Sequence, residues 1–511
     1  MVLKKRDTGF WVLVATILGS SMAFIDGTVV NVALPSIQAD LDATITDLQW
    51  VVQAYLLFLA SLILVGGSLG DRFGRKKIFS IGIILFALAS AWSGFAAHAS
   101  QLIFARALQG MGGALLTPGS LSIISAYFKD VQRRGQAIGT WSAFSAIITA
   151  VGPILGGWLI DTASWRWVFF INLPLALIVL AVLYWKVPET YDESATGNLD
   201  WLGAILVTLG LAGISYGLTE SANLGLSHPL ILSTSIGGII ALLAFVLFEA
   251  RTTDPMVPLR LFLSRTFTGA NLLTLFLYGA LGWLTFYMPL NMIQVQGYSA
   301  TQFGFAFLPF VLLLAGLSRW SGALVGKIGA KIPLVIGPLL VAFGFFLLSL
   351  QDVGGSYWLT FFPGIVVSGL GMAIAVAPLT TAVMSSAEER FSGTASGINN
   401  AVARTASLLT IAIFGIFATF SFNAELDNNL SGINIPLEAQ VSLDAERSKL
   451  AEAKAPEILS EDQRQTVNKA IEDSFIGSFQ FTMQLSALLA LTSAVIAFLM
   501  IEGKPKASQN K

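Results

Sequence analysis

The chain has no cysteine and only two histidines in 511 residues. Without cysteine there can be no disulfide, no thiol catalysis and no thiolate metal site. His98 and His228 fall near the ends of apolar runs, so no histidine-based metal centre is expected. Charge is also scarce: 12% of residues are Asp, Glu, Lys or Arg, against 55% hydrophobic, and mean hydropathy is +0.74. A soluble domain of this length could not hide so much apolar side chain, which excludes an ordinary soluble protein and predicts an all-α polytopic membrane protein. A net charge of −1 offers nothing to a nucleic acid. With no cysteine and no mid-span histidine, the nucleophile–base pairs and metal clusters of an intramembrane enzyme are nearly absent, so a non-enzyme is expected.

Against that apolar background, fourteen charge-poor runs stand out, each about 18 residues or more, enough to cross a hydrocarbon core of roughly 30 Å as a helix. The basic start and apolar run at the N-terminus resemble a signal peptide, but the pattern continues into another span and is read as the first helix. The ninth and tenth runs are separated only by a turn containing Gly297.

The stretch Gly67–Phe79, GSLGDRFGRKKIF, interrupts two such runs with two glycine-permitted bends and five charges: Asp71, Arg72, Arg75, Lys76 and Lys77. It recurs 255 positions later as GALVGKIGAKIPL, with Gly67/Gly322, Gly74/Gly329 and Lys76/Lys331 in register. A loop repeated with its spacing intact implies two related halves, a common plan among transporters. The polar segment 186–200 ends the first half. The predicted domains are therefore residues 1–190, a six-helix bundle; 191–256, a linker with two additional membrane helices; and 257–511, a second six-helix bundle with a long extracytoplasmic loop at about 424–473. That loop carries eleven acidic and five basic residues, and its LEAQVSLDAERSKLAEAKA run has helical composition, so a small helical cap or hairpin is one reading and a solvated loop the other. Lys and Arg cluster at the N-terminus and after the second, fourth, eighth and tenth spans, which predicts that both termini are cytoplasmic.

Three ionisable residues should lie deep: Asp26 in the first span, Arg106 in the fourth and Arg404 in the thirteenth. Such charges are expensive in a membrane and usually face a cavity or a partner. Burial favours the protonated form of a carboxylic acid and a neighbouring guanidinium favours the ionised one, so Asp26 beside Arg106 would make a proton switch. The alternative is a static pair that fastens two helices. Gly152, Pro153, Gly156 and Gly157 give the fifth span a small-residue face, readable as plain helix packing or as a hinge and seal between bundles. Asn31, Tyr55, Trp141, Tyr278, Asn400 and Arg404 are candidate lining groups for a substrate cavity, or packing residues.

Together these stretches resemble the drug:proton antiporters of the major facilitator superfamily, in the branch with fourteen spans, over nearly the whole chain. GSLGDRFGRKK is similar to the superfamily's loop signature; the resemblance implies that Gly67, Asp71, Arg72, Gly74, Arg75 and Lys76 form a conformational latch. LIFARALQG resembles the fourth-helix signature, implying a role in proton handling for Arg106. FIDGTVVNVALPSI and LQWVVQAYLL resemble the first two helices of the branch, implying a coupling role for Asp26. GPILGGWLI resembles the fifth-helix antiporter signature, and WRWVFFINLP the segment that follows it. Two positions depart: Ile148 stands where that signature usually has glycine, and Gly326 stands where the first half has Asp71.

The resemblance implies a proton-driven exporter of small amphiphilic compounds in the inner membrane, working by alternating access as a monomer, with no cofactor beyond the proton gradient. No carboxylate lies deep in the last six spans, which points to monovalent or neutral compounds rather than dications. Alternatives are an exporter of one endogenous lipid, siderophore or metabolite, or a membrane receptor or enzyme. Arg404 could instead counter an anionic group.

Overall fold

A computed structural model describes residues 2–191, 199–388, 391–433 and 435–503, with the side chains of residues 2–7, Val131 and Arg319 left out. Part of the 186–200 linker therefore lies outside the described residues. The first bundle contains α1 (Val2–Leu41), α2 (Ile45–Phe73), α3 (Arg75–Gly94), α4 (Ala99–Tyr127), α5 (Val131–Thr162) and a broken helix, α6 (Trp167–Phe170) and α7 (Asn172–Lys186). A helical pair follows, α8 (Trp201–Leu224) and α9 (Pro229–Glu249). The second bundle contains α10 (Arg265–Leu290), α11 (Ala300–Ile328), α12 (Lys331–Leu348), a second broken helix, α13 (Tyr357–Thr360) and α14 (Phe362–Ser385), then α15 (Ser392–Leu430), the short α16 (Leu437–Glu446) and α17 (Glu461–Met500).

Helices are the form these sequences must take, because hydrocarbon offers no partner for an open N–H or C=O. Their starts are set by polar caps: Thr44 with Asp47 on α2, Ser299 with Gln302 on α11 and Ser460 with Gln463 on α17 form reciprocal capping boxes. Among the described residues, thirteen helices are long and apolar enough to cross a membrane. The fourteenth expected span, α4, has the length, at 29 residues, but is not among them. Its buried face carries Arg106, Gln109, Gly110, Gly112 and Gly113, which trade apolarity for close contact.

Glycine sets how closely helices approach. A Cβ on Gly66 would meet the Ala114 carbonyl oxygen at 2.1 Å, and one on Gly110 the Tyr55 oxygen at 2.4 Å, so α2 and α4 meet backbone to backbone. The internal repeat is visible here as well. Gly82 of α3 would meet the Gly112 oxygen at 3.0 Å, and Gly337 of α12, again 255 positions on (337 − 82), would meet the Gly371 oxygen at 2.8 Å. Gly74 (φ +110°) and Gly329 (φ +82°) break the chain at equivalent places, between α2 and α3 and between α11 and α12.

Two expectations need correction. The stretch after Gly67 has one glycine bend rather than two, because α2 runs unbroken through Gly67 and Gly70 to Phe73 and only Gly74 leaves the helix. The 424–473 segment is not mainly loop: α15 continues to Leu430, α17 begins at Glu461, and α16 with a turn of 3-10 helix lies between them. Leu426, Ala439, Leu443, Leu450, Leu459 and Val467 are buried, and that apolar row orders the polar chain around it. Gly297 (φ +72°) does mark the turn between α10 and α11.

The bundles meet most closely at the end opposite the two termini. Gly157 of α5 lies against Ala300 of α11 so tightly that a Cβ would come within 2.3 Å of its oxygen, and Gly304 lies equally close to Pro153. Asp161 accepts hydrogen bonds from the Ala300 and Thr301 amides at 3.2 and 2.8 Å. At the same end, Gln38 of α1 donates to the Lys449 carbonyl, Gln294 donates to Gln38, and Lys449 pairs with Asp42 at 2.7 Å. Toward the termini this seam opens: a Cβ on Gly135, Gly139, Gly316 or Gly326 would meet nothing within 4 Å. The α8–α9 pair packs outside the other seam, with α8 against both α2 and α15.

Candidate functional site

Asp26 and Arg106, 80 residues apart, meet inside the first bundle. Arg106 Nη1 lies 2.6 Å from Asp26 Oδ2, with the two side chains 2% and 0% exposed. Gln109, one helical turn after Arg106, closes the arrangement: it donates to Asp26 Oδ1 at 2.7 Å and accepts from Arg106 Nη1 at 2.8 Å. Behind it, Ser90 lies 3.3 Å from Gln109 Nε2, accepts from Asn172 Nδ2 at 3.0 Å and donates to the Phe169 carbonyl. Arg106 Nε donates to the Val51 carbonyl at 3.1 Å, and its guanidinium sits 4.3 Å from the centre of the Tyr55 ring. Helices α1, α2, α3, α4, α6 and α7 therefore all contribute to one buried carboxylate–guanidinium pair.

The local sequence explains the assembly. Arg106 and Gln109 are three apart, hence on one face of α4, while Gly110 lets the Tyr55 backbone approach that face. Both Asp26 oxygens are hydrogen-bonded, which a buried carboxylate requires. Proton uptake by Asp26 would cancel its attraction for Arg106, and Gln109, the Val51 carbonyl and the Tyr55 ring would remain to hold the guanidinium.

The residues expected to form a latch lie in a separate region at the terminal end. Asp71 pairs with Arg75 across Gly74 at 2.7 Å, and Arg72 is exposed. Gly67 packs loosely beside Pro118, its would-be Cβ 3.7 Å away. Glu189, just beyond α7, caps α3 from outside it: its two oxygens accept from the Lys76 and Lys77 amides at 2.9 and 3.0 Å. Lys76 Nζ in turn donates to the Val187 carbonyl, and the Arg75 amide to that of Thr190. Close by, Asp71, Arg72, Asp200, Glu249, Arg260 and others line a cavity of about 680 Å³, so the ends of the helical pair reach the latch.

The glycine face of α5 divides in two. Gly152 and Gly156 press on Thr28 and Val29 of α1 within the same bundle, whereas Gly157 and Pro153 meet the second bundle. Of the expected lining residues, Tyr55 is 3% exposed and belongs to the Asp26–Arg106 site. Trp141 is half-buried and donates to Ser20 Oγ at 3.2 Å; Tyr278 is half-buried, its carbonyl accepting from Ser407. Asn31 is half-buried, bonded back to its own helix, and Asn400 is exposed. Arg404 is set apart from the other deep charges: among the described residues it has no hydrogen-bond or ion-pair partner. On insertion scales such a charge at mid-membrane costs about 3 kcal/mol.

Sequence reasoning missed Gln109, Ser90, Asn172 and Glu189. Gln109 could have been found from its spacing to Arg106, and Asn172 from its place as a lone amide in an apolar run. Ser90 and Glu189 carry no such signal.

Two helical bundles related by a repeat, closed at one end and holding a buried ion pair, have the plan of a membrane carrier. Residues 16–411 match the model of the Major Facilitator Superfamily, and the chain belongs to that superfamily. It is 33% identical over 422 residues to the multidrug resistance protein Stp of Mycobacterium tuberculosis (strain CDC 1551 / Oshkosh), covering 82% of this chain and 77% of that one. It is 28% identical over 501 residues to the tetracenomycin C resistance and export protein of Streptomyces glaucescens, covering 96% and 92%. With the puromycin resistance protein pur8 of Streptomyces alboniger the figures are 34% over 418 residues, 80% and 82%. Among solved structures, a bacterial homolog of the human lysosomal transporter Spinster, inward-facing and unoccupied, shares the fold with a TM-score of 0.63 at 19% identity, covering 98% and 99%. The xylose transporter XylE from E. coli, inward open, gives 0.59 at 15%, covering 98% of each chain.

Proposed function

We propose that this chain exports small amphiphilic compounds across the cytoplasmic membrane in exchange for protons, by alternating access, with both termini in the cytoplasm. The observation that carries this reading is the Asp26–Arg106–Gln109 cluster, a buried and fully hydrogen-bonded ion pair inside the first bundle. Relatives of this chain named for drug resistance and export support drug-like compounds as the substrate class. The seam between α5 and α11, tight at the far end and open toward the termini, corresponds to an inward-facing state.

Protonation of Asp26 from outside releases Arg106 and loosens α1 against α4; deprotonation toward the cytoplasm restores the pair and resets the carrier. One charge moved through 100 mV supplies about 2.3 kcal/mol, enough to bias two conformations nearly fifty-fold. The Asp71–Arg75 pair and the Glu189 cap hold the α2–α3 corner as a unit that engages or releases when the bundles rock. All fourteen long helices, α4 included, span the membrane in this scheme.

The test is purified protein in liposomes under an imposed pH gradient, with proton movement recorded as amphiphilic compounds of each charge type are added. A compound that drives proton flux in the wild type but not in Asp26→Asn supports antiport through Asp26. Transport of a compound with no proton movement rules out the coupling.

A further inference from the structure

Arg404 sits twelve residues into α15, roughly 18 Å along the helix from its start, near the middle of a hydrocarbon core. Its side chain is only partly buried. Its Nε is buried without a partner. No described carboxylate pairs with it. Tyr55 lies on α2 of the first bundle, which packs against α15, within electrostatic range of Arg404, and the Tyr55 hydroxyl also has no hydrogen-bond partner among the described residues.

The other deep charges are committed. Asp26 has both oxygens engaged by Arg106 and Gln109, so among the described residues no mid-membrane carboxylate is left to receive a cation. An always-protonated guanidinium with an open Nε donor, and a phenolic O–H within its electrostatic range, is instead complementary to a carboxylate or similar oxyanion.

Resting on the exporter reading above, we infer that Arg404 and Tyr55 form the head-group site of the carrier and that its substrates are aromatic or amphiphilic compounds bearing a negative charge. The anion would bridge α15 and α2, one helix from each bundle, and so bind best when the seam is arranged to receive it. Tyr55 also stacks on Arg106, so the occupied site and the proton site share a residue.

The experiment uses the full-length protein in nanodiscs and compares binding of naphthylacetate, its methyl ester and naphthylethylammonium. Wild type is expected to bind the carboxylate at least tenfold more tightly than either analogue. R404Q should lose that preference and R404K should keep part of it. Because Arg404 has no hydrogen-bond or ion-pair partner among the described residues, R404Q should unfold at the same temperature as wild type or higher. Equal binding of the three probes, binding of none, an unchanged preference in R404Q, or a marked loss of its stability overturns the inference, the last by making Arg404 a structural fastener. Transport is scored separately under a pH gradient: a carboxylate that binds through Arg404 but is never carried sinks the exporter reading and leaves the anion site standing.

Discussion

Asp26→Asn and Arg106→Gln, alone and together, measure how much the buried pair contributes. In Asp26→Asn the guanidinium keeps the Val51 carbonyl, the Gln109 oxygen and the Tyr55 ring, so the loss should be modest, about 1–2 kcal/mol. Arg106→Gln leaves a carboxylate 0% exposed with only Gln109 as donor, and removing one partner of a buried pair costs about 3–5 kcal/mol in soluble proteins. The double variant has neither charge to desolvate and should recover much of the loss. A coupling of about 2 kcal/mol, roughly thirtyfold in an equilibrium constant, is expected from unfolding by SDS in mixed micelles. Proton flux should vanish in all three, while substrate counterflow, which needs no net proton movement, should survive in Asp26→Asn. Additivity within about 0.5 kcal/mol would show that the two side chains do not act as a pair. Proton flux persisting in Asp26→Asn would place coupling elsewhere.

Gly157→Val should hold the far end apart, because even a Cβ there would meet the Ala300 oxygen at 2.3 Å; spin labels at Thr162 and Phe305, introduced as the only cysteines in the chain, should report a longer distance, and an unchanged one refutes the seal. Glu189→Gln should weaken the α3 cap by about 1 kcal/mol, seen as several-fold faster hydrogen exchange at the Lys76 and Lys77 amides. The hydrogen bond from Lys449 holds the Asp42 carboxyl below the ordinary carboxylate range, so the stability this pair contributes is present above that range and lost as pH falls through the lowered value. Tryptic-type protection is the wrong probe in acid; pepsin cleavage near Lys449 should rise below about pH 4 in wild type and be high already at pH 5 in Asp42→Asn.

Much of the site was legible because chemistry is conspicuous in an apolar chain. One aspartate and one arginine in long hydrophobic runs had to find each other, and they do. Gln109 and Asn172 were readable in the same way but are neutral, and neutral amides in helices often face a neighbouring backbone. Glu189 was not readable, since a carboxylate in a polar linker looks solvated until the fold brings it to the start of α3. Arg404 was visible as a deep charge, but its lack of a partner among the described residues was not, because that depends on which faces of α2 and α15 meet.

The sequence by itself determined the class, the helical runs, the repeat and the identity of the deep charges, because hydrocarbon admits only long apolar helices and penalises every exception. It could not determine which helix faces touch. Lipid and neighbouring helix are equally apolar, so hydrophobic periodicity does not mark the inward side as it does in water. Only the tertiary structure decided that Asp26 is held by α4, that Gly157 faces the other bundle while Gly152 and Gly156 face their own, and that Arg404 has no hydrogen-bond or ion-pair partner among the described residues. Those outcomes rest on how closely glycine lets backbones approach, a property of pairs of helices rather than of either one.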